Sequence, residues 1–158
     1  MHGYSVPDAE KRRLADAWLR AHYEVDAAGQ TWPLRIGVPA QAMESALPGR
    51  AYLLITAWNP PGESASRQDN RAANARLVAQ LEASGHRFAP ALAHDGHGGW
   101  SEPGWLVRDV ELDAARELAR HFRQGGILHW LHGHPVRLCM NWPRPPGVDD
   151  QAHLIWLG

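Results

Sequence analysis

Apolar positions recur in two different periods along the chain, and each change of period marks an element. From Asp8 to His22, Leu14, Ala15, Trp18 and Leu19 fall at helical spacing behind Pro7, which predicts a helix with Asp8 as its cap. Tyr23–Asp26 and Trp32–Val38 read as two strands joined at AAGQ, with Gly29 at the bend. PAQAMESALPG holds about one helical turn before Pro48 and Gly49 end it. Arg50–Trp58 is apolar on both faces, as a central strand must be, and Asn59-Pro60-Pro61-Gly62 then has to leave the sheet.

Ser66-Arg67-Gln68-Asp69 has the form of a capping box, and Ala73, Leu77, Val78 and Leu81 continue it as a helix closed by Ser84-Gly85. Strands follow at His86–Ala93 and Gly104–Val110, separated by the polar loop HDGHGGWSEP. Glu111–Gln124 is a second amphipathic helix, with Leu112, Ala115, Leu118, Ala119 and Phe122 inward and Gly125-Gly126 as its stop. Ile127–Leu131 and Val136–Met140 make a hairpin around His132-Gly133-His134-Pro135. The order predicts an α+β fold: a mainly antiparallel or mixed sheet with about three packed helices, one domain over residues 1–142. Residues 143–158, the Pro-rich PRPPGVDD and the apolar HLIWLG, are a linker and a tail expected to dock, on this domain in the favoured reading or else on a partner chain, which includes a homo-oligomer.

Composition narrows the classes. The 158 residues suit one domain, and 44% hydrophobic with 21% charged residues are ordinary globular values. A net charge of −1 disfavours a general grip on nucleic acid. Lys11 is the single lysine among 16 basic residues, so an anion would mostly meet guanidinium groups. Cys139 is the sole cysteine and sits in VRLCM, where it reads as core; no intrachain disulfide is possible, and a reducing, cytoplasmic setting is expected. The N-terminus lacks the apolar run of a secretion signal, and no segment is long enough to span a bilayer, so no membrane role is expected.

Candidate chemistry gathers where the Arg50–Trp58 strand meets the Ser66 helix. Positions 70, 74, 77 and 81 share one helical stripe, so Asn70 and Asn74 extend the inward line of Leu77 and Leu81. Buried carboxamides must be satisfied by backbone, by each other or by a ligand. Thr56, Trp58 and Asn59 end the strand; Ser64, Ser66, Arg67 and Arg71 surround the helix start, whose free N–H groups make an anion seat. As an alternative, Ser66 is a plain N-cap and Asn70 a loop staple. His129, His132 and His134 form H-x2-H-x-H, the donor set for a zinc ion or simply a strand and polar turn, and no metal or cofactor is assigned to them. The common dinucleotide, NTPase, serine-hydrolase and zinc-protease fingerprints do not occur.

The chain resembles the domain of unknown function 3293 (DUF3293) family of small bacterial proteins. The resemblance is carried by ITAWNP at Ile55–Pro60, by Asn70, Arg71 and Asn74, by Trp100-Ser101-Glu102, Leu106-Val107 and Leu118-Ala119, and by Phe122-Arg123-Gln124. Gly104 stands near where the family tends to carry Ser, and Arg123 where it tends to carry Gly. The resemblance implies a site at these positions and names no reaction. Carboxamides and one guanidinium suit recognition of phosphates, bases and sugars, with Trp100, Trp58 or Trp105 as a stacking wall. The expectation is therefore a binder of a polar or anionic small molecule, a nucleotide or phosphate-bearing metabolite, held by Thr56, Trp58, Asn59, Ser64, Ser66, Asn70, Arg71, Asn74, Trp100 and Gln124. Two alternatives stand beside it: an enzyme on the same ligands with Glu102 as acid or base, and an assembly module acting through the tail.

Overall fold

A computed structural model describes residues 5–60 and 65–158. Its elements run α1 (Asp8–Arg20), β1 (His22–Ala27), β2 (Gln30–Leu34), α2 (Gln41–Ala46), β3 (Ala51–Ile55), α3 (Arg67–Ser84), β4 (Phe88–His94), β5 (Ser101–Arg108), α4 (Leu112–His121), β6 (Gly126–Leu131), β7 (Leu138–Pro143) and β8 (Leu154–Leu157). All eight strands belong to one sheet, ordered β2-β1-β4-β5-β3-β6-β7-β8. Neighbours are antiparallel except β7 and β8, which are parallel. The sheet curls far enough that Ile36 and Pro39, beyond β2, bridge to Val136 and Pro135 ahead of β7. The protein is a single-domain α+β fold with a mixed sheet.

The central strand explains the two layers. All five residues of β3 are buried. Tyr52 and Leu54 join a core on one face with Ala15 of α1 and Met43 of α2; Leu53 and Ile55 join a core on the other with Leu77 and Leu81 of α3 and Ala115 and Ala119 of α4. Each fully buried aliphatic side chain contributes about 1.5–3 kcal/mol over exposure, so this alternation fixes the strand's register.

Several boundaries differ from the sequence expectation for local reasons. Asp8 is the first helical residue rather than the cap; Pro7 takes the extended N-cap position, and Asp8 and Glu10 face the positive end of the helix. β3 stops at Ile55, because Thr56 Oγ1 accepts the Trp58 N–H (3.0 Å) and donates to the Pro103 carbonyl (2.7 Å), turning the chain out of the sheet. β5 begins at Ser101, earlier than expected: β3 ends opposite Trp105, so Ser101–Gly104 pair only with β4 and Pro103 is tolerated. A fourth helix, α2, replaces the single turn read from PAQAMESALPG. It is pinned by Glu44, whose carboxylate accepts the Trp130 indole N–H and the Gly133 N–H (both 2.8 Å). In the C-terminal segment, Leu154–Leu157 form β8, with Leu154 buried. Among the described residues, no helix is long and apolar enough to cross a membrane.

Candidate functional site

The polar residues at the end of β3 form a chain whose orientation can be reasoned out. The Asn59 backbone N–H is an unambiguous donor, and it reaches Asn70 Oδ1 at 2.9 Å. That fixes the Asn70 amide, so Asn70 Nδ2 donates to Asn59 Oδ1, also at 2.9 Å. The Asn59 amide is fixed in turn, and its Nδ2 is left to donate to Glu102 Oε2 at 3.0 Å. Asn59 sits at φ 46°, the left-handed region that Asn tolerates better than most side chains. The first residue of the "NP" turn is thus held by a helix and aimed at a carboxylate two strands further along the chain.

Glu102 is buried near the start of β5. Burial pushes its carboxyl up to about 7, although the hydrogen bonds from Asn59 and from the Trp100 indole pull the other way. Desolvation therefore wins over two donors. The carboxyl lines a cavity of about 50 Å³ with Thr56, Trp100, Gln124, Trp18, Tyr23 and apolar residues of β3, β6 and β7. Gln124 closes its far side: Nε2 donates to the Trp58 carbonyl (3.2 Å), tying the α4–β6 turn to the loop after β3.

Two glycines make the space. A Cβ on Gly104 would lie 2.6 Å from the Ile55 carbonyl oxygen, so β3 and β5 approach there closer than any side chain allows. A serine at this position would meet the same backbone. A Cβ on Gly126 would lie 2.8 Å from the Trp18 ring, so Trp18 is seated on bare β6 backbone. A groove of about 650 Å³ adjoins the chamber. It shares Trp18 and Trp100 as walls and is otherwise lined by Arg13, Arg20, His22, Asp95 and His97 among others.

The structure thus brings together Thr56, Asn59, Asn70, Trp100, Glu102 and Gln124, with Trp58 contributing backbone rather than its ring. It does not bring in the rest. Asn74 Oδ1 accepts the Trp105 indole N–H at 2.9 Å, in the core on the opposite face of the sheet. Ser66 caps α3 by accepting the Asp69 N–H (3.0 Å), and Asp69 places a negative charge in the first turn, where an anion seat would want none. Arg67 and Arg71 are exposed. Ser64 lies outside the described residues. His129 is buried with Nε2 2.7 Å from the Val110 carbonyl, while His132 pairs with Glu44; among the described residues no group of His, Cys, Asp and Glu is arranged to hold a metal. Trp18 and Tyr23 are the wall residues sequence reasoning missed. Their signal was an aromatic pair in elements read only as core.

The fold and site define a small α+β protein with a buried carboxyl at the end of a curled sheet. A family model described as "Protein of unknown function (DUF3293)" matches residues 55–127, and this match supports assigning that stretch to the family. No curated protein and no solved structure matches the chain. The matched residues contain Asn59, Asn70, Trp100, Glu102 and Gln124, whereas Trp18 and Tyr23 precede them.

Proposed function

We propose that the protein binds a small polar molecule at the end of β3, with an inner group in the Glu102 chamber and the larger part in the groove between α1 and residues 95–100. The observation that carries this reading is the spare capacity of Glu102. Thr56, Asn59 and Asn70 spend their side-chain bonds on each other, on backbone and on Glu102, and Gln124 Nε2 donates to backbone. A carboxylate accepts about four hydrogen bonds, and the two donors on Glu102 leave room for more inside a cavity. The anionic part of a nucleotide or phosphate-bearing metabolite would then lie in the groove, near Arg20, His22 and His97, rather than at the start of α3.

Thermal unfolding against nucleotides, sugar phosphates and simple anions tests this. A ligand at about 100 times its Kd stabilises by about 2.7 kcal/mol, which moves the midpoint by several degrees. The shift should be lost in Trp100→Ala and reduced in Arg20→Ala. A shift lost in Arg71→Ala and kept in Arg20→Ala would return the anion to α3, and no shift from any compound would refute binding of this class. A second reading, catalysis with Glu102 as acid or base, is favoured by its titration near neutrality, where a proton can be taken and returned. Glu102→Gln should then retain binding and lose turnover.

A further inference from the structure

The chamber and the groove outside it carry opposite charge. Among the described residues lining the chamber, Glu102 is the only one with a formal charge, and none of them is Arg, Lys or His. The groove places Arg13, Arg20, His22 and His97 against Asp95, with Arg13 engaged by Glu10. The chamber also gathers three aromatic side chains, Trp18, Tyr23 and Trp100. Tyr23 donates its hydroxyl to the Trp18 carbonyl (2.5 Å), so what it offers a ligand is ring surface. A carboxylate among indole and phenol rings is the combination that attracts organic cations, by ion pairing and by the negative face of each ring.

Size sets the limit on what enters. A water needs about 10–15 Å³ of such space, so about 50 Å³ takes a few water-sized groups. That suits a head group of about four heavy atoms and shuts out a nucleobase, which has about twice as many or more. We propose that the chamber receives a cationic nitrogen head group (a primary ammonium, amidinium or guanidinium) on a small ligand whose anionic part stays in the groove at Arg20 and His22. This rests on the small-molecule reading above and narrows it to amphoteric ligands. The countercharge that Glu102 lacks in its own cavity is supplied by the ligand.

The pH dependence follows from the groups around the carboxyl. From β3, α3 and the loop after it come Thr56, Asn59 and Asn70; from the α4–β6 turn comes Gln124; and from α1 and the 95–100 loop come Trp18 and Trp100, none of which titrates. Tyr23 of β1 is held well above its ordinary range by burial. Glu102 itself gains its charge as pH rises through about 7, so an ammonium or guanidinium should bind about tenfold tighter near pH 8 than near pH 6. The charged and ionisable groups of the groove outside the chamber are Arg13, Arg20, His22, Asp95 and His97.

The test is an NMR titration of the nitrogen-labelled full chain with methylguanidinium and butylammonium, following the Trp100 indole N–H, assigned with Trp100→Phe. Methyl phosphate and N-methylacetamide serve as comparators. The expected result is a saturable Trp100 shift with both cations, about tenfold tighter at the higher pH, and lost in Glu102→Gln with most of its pH dependence. Cations that leave the signal unmoved, or that move it equally in Glu102→Gln, overturn the inference. If methyl phosphate or the amide alone moves it, the cation inference fails and the small-molecule reading stands. If no probe here and no compound in the thermal panel binds, both fail.

Discussion

Glu102 should set a pH dependence of stability with an unusual sign for a carboxyl. Its folded pKa stands at about 7 against an ordinary 4.5, because burial penalises the charged form more than Asn59 and Trp100 favour it. A group raised in this way is protonated in the folded protein and ionised in the unfolded chain between those two values. The folded state then binds the extra proton, so stability is full below the unfolded value and falls as pH rises toward the folded one. Each unit is worth about 1.4 kcal/mol, and the full shift corresponds to about 3 kcal/mol. Between about pH 5 and about pH 8 the loss is about 2.5 kcal/mol, since a little of it falls below the lower limit.

Glu102→Gln removes the titration while keeping shape and one acceptor oxygen. Urea unfolding of both proteins at several pH values, followed by tryptophan fluorescence, isolates this residue, since every other group titrates in both. The variant should gain on the wild type steadily from the acidic to the basic end, by about 2.5 kcal/mol in all, whatever its offset at the start. Its offset can have either sign, because the new amide N–H₂ faces the Asn59 or Trp100 donor. Parallel stability curves would refute the claim that Glu102 is buried without adequate compensation, and the chamber with it.

Three further changes probe the frame around that carboxyl. Gly104→Ala forces a Cβ to within 2.6 Å of the Ile55 carbonyl, which is backbone and cannot swing aside, so urea denaturation should show a loss of about 2 kcal/mol or more; a neutral result would mean that β3 and β5 part easily. Asn70→Ala leaves the Asn59 N–H and amide without partners, costing about 1–3 kcal/mol, and should raise the Glu102 pKa further as its Asn59 donor loosens; an unchanged carboxyl titration by NMR would show that Asn59 is held by its turn alone. Removing residues 154–158 strips β8 from β7 and uncovers buried Cys139, so the midpoint should fall by several degrees in the monomer. A change of oligomeric state at unchanged stability, read by light scattering, would instead favour the assembly role for the tail.

How much of this was legible in the sequence depends on the range of the interaction involved. Local signals were readable: the Ser66 cap, the inward line from Asn70 through Leu81, and the end of the strand before Asn59-Pro60. Those depend on residues within one or two turns of each other, where spacing is geometry. Faces were less readable. Asn74 lies on the same helical stripe as Asn70, yet it bonds Trp105 on the far face while Asn70 reaches round the sheet end to Asn59. Only the order of β5, β3 and β6 decides that split, and no local pattern encodes strand order. The tail was read as apolar and in need of cover, but its partner, β7, is set by the parallel return of the chain rather than by its own period.

The site's other wall shows the same limit, and the carboxamides show what a sequence leaves out about bonding. A cluster of Asn, Gln and Thr reads from sequence as a set of free hydrogen-bonding groups awaiting a ligand. In the fold their bonds are spent on one another, on Pro103 and on Trp58, and what they build is a rigid holder for Glu102. Capacity left over after such accounting is the better guide to a site than polarity itself, because a satisfied amide gains little by exchanging partners. Within this site one carboxyl stands out by that measure, and beside neighbouring Trp100 the aromatic residues facing it come from α1 and β1, far away in sequence. Trp18 reaches it because Gly126 has no side chain, a dependence between residues more than a hundred positions apart. The anion expected at the start of α3 was inferred from the free N–H groups of a helix start and from Arg67 and Arg71 one turn apart, which the structure places at an exposed helix end capped by Ser66. The chamber's own ionisable group is acidic instead, and it carries its negative charge above about pH 7.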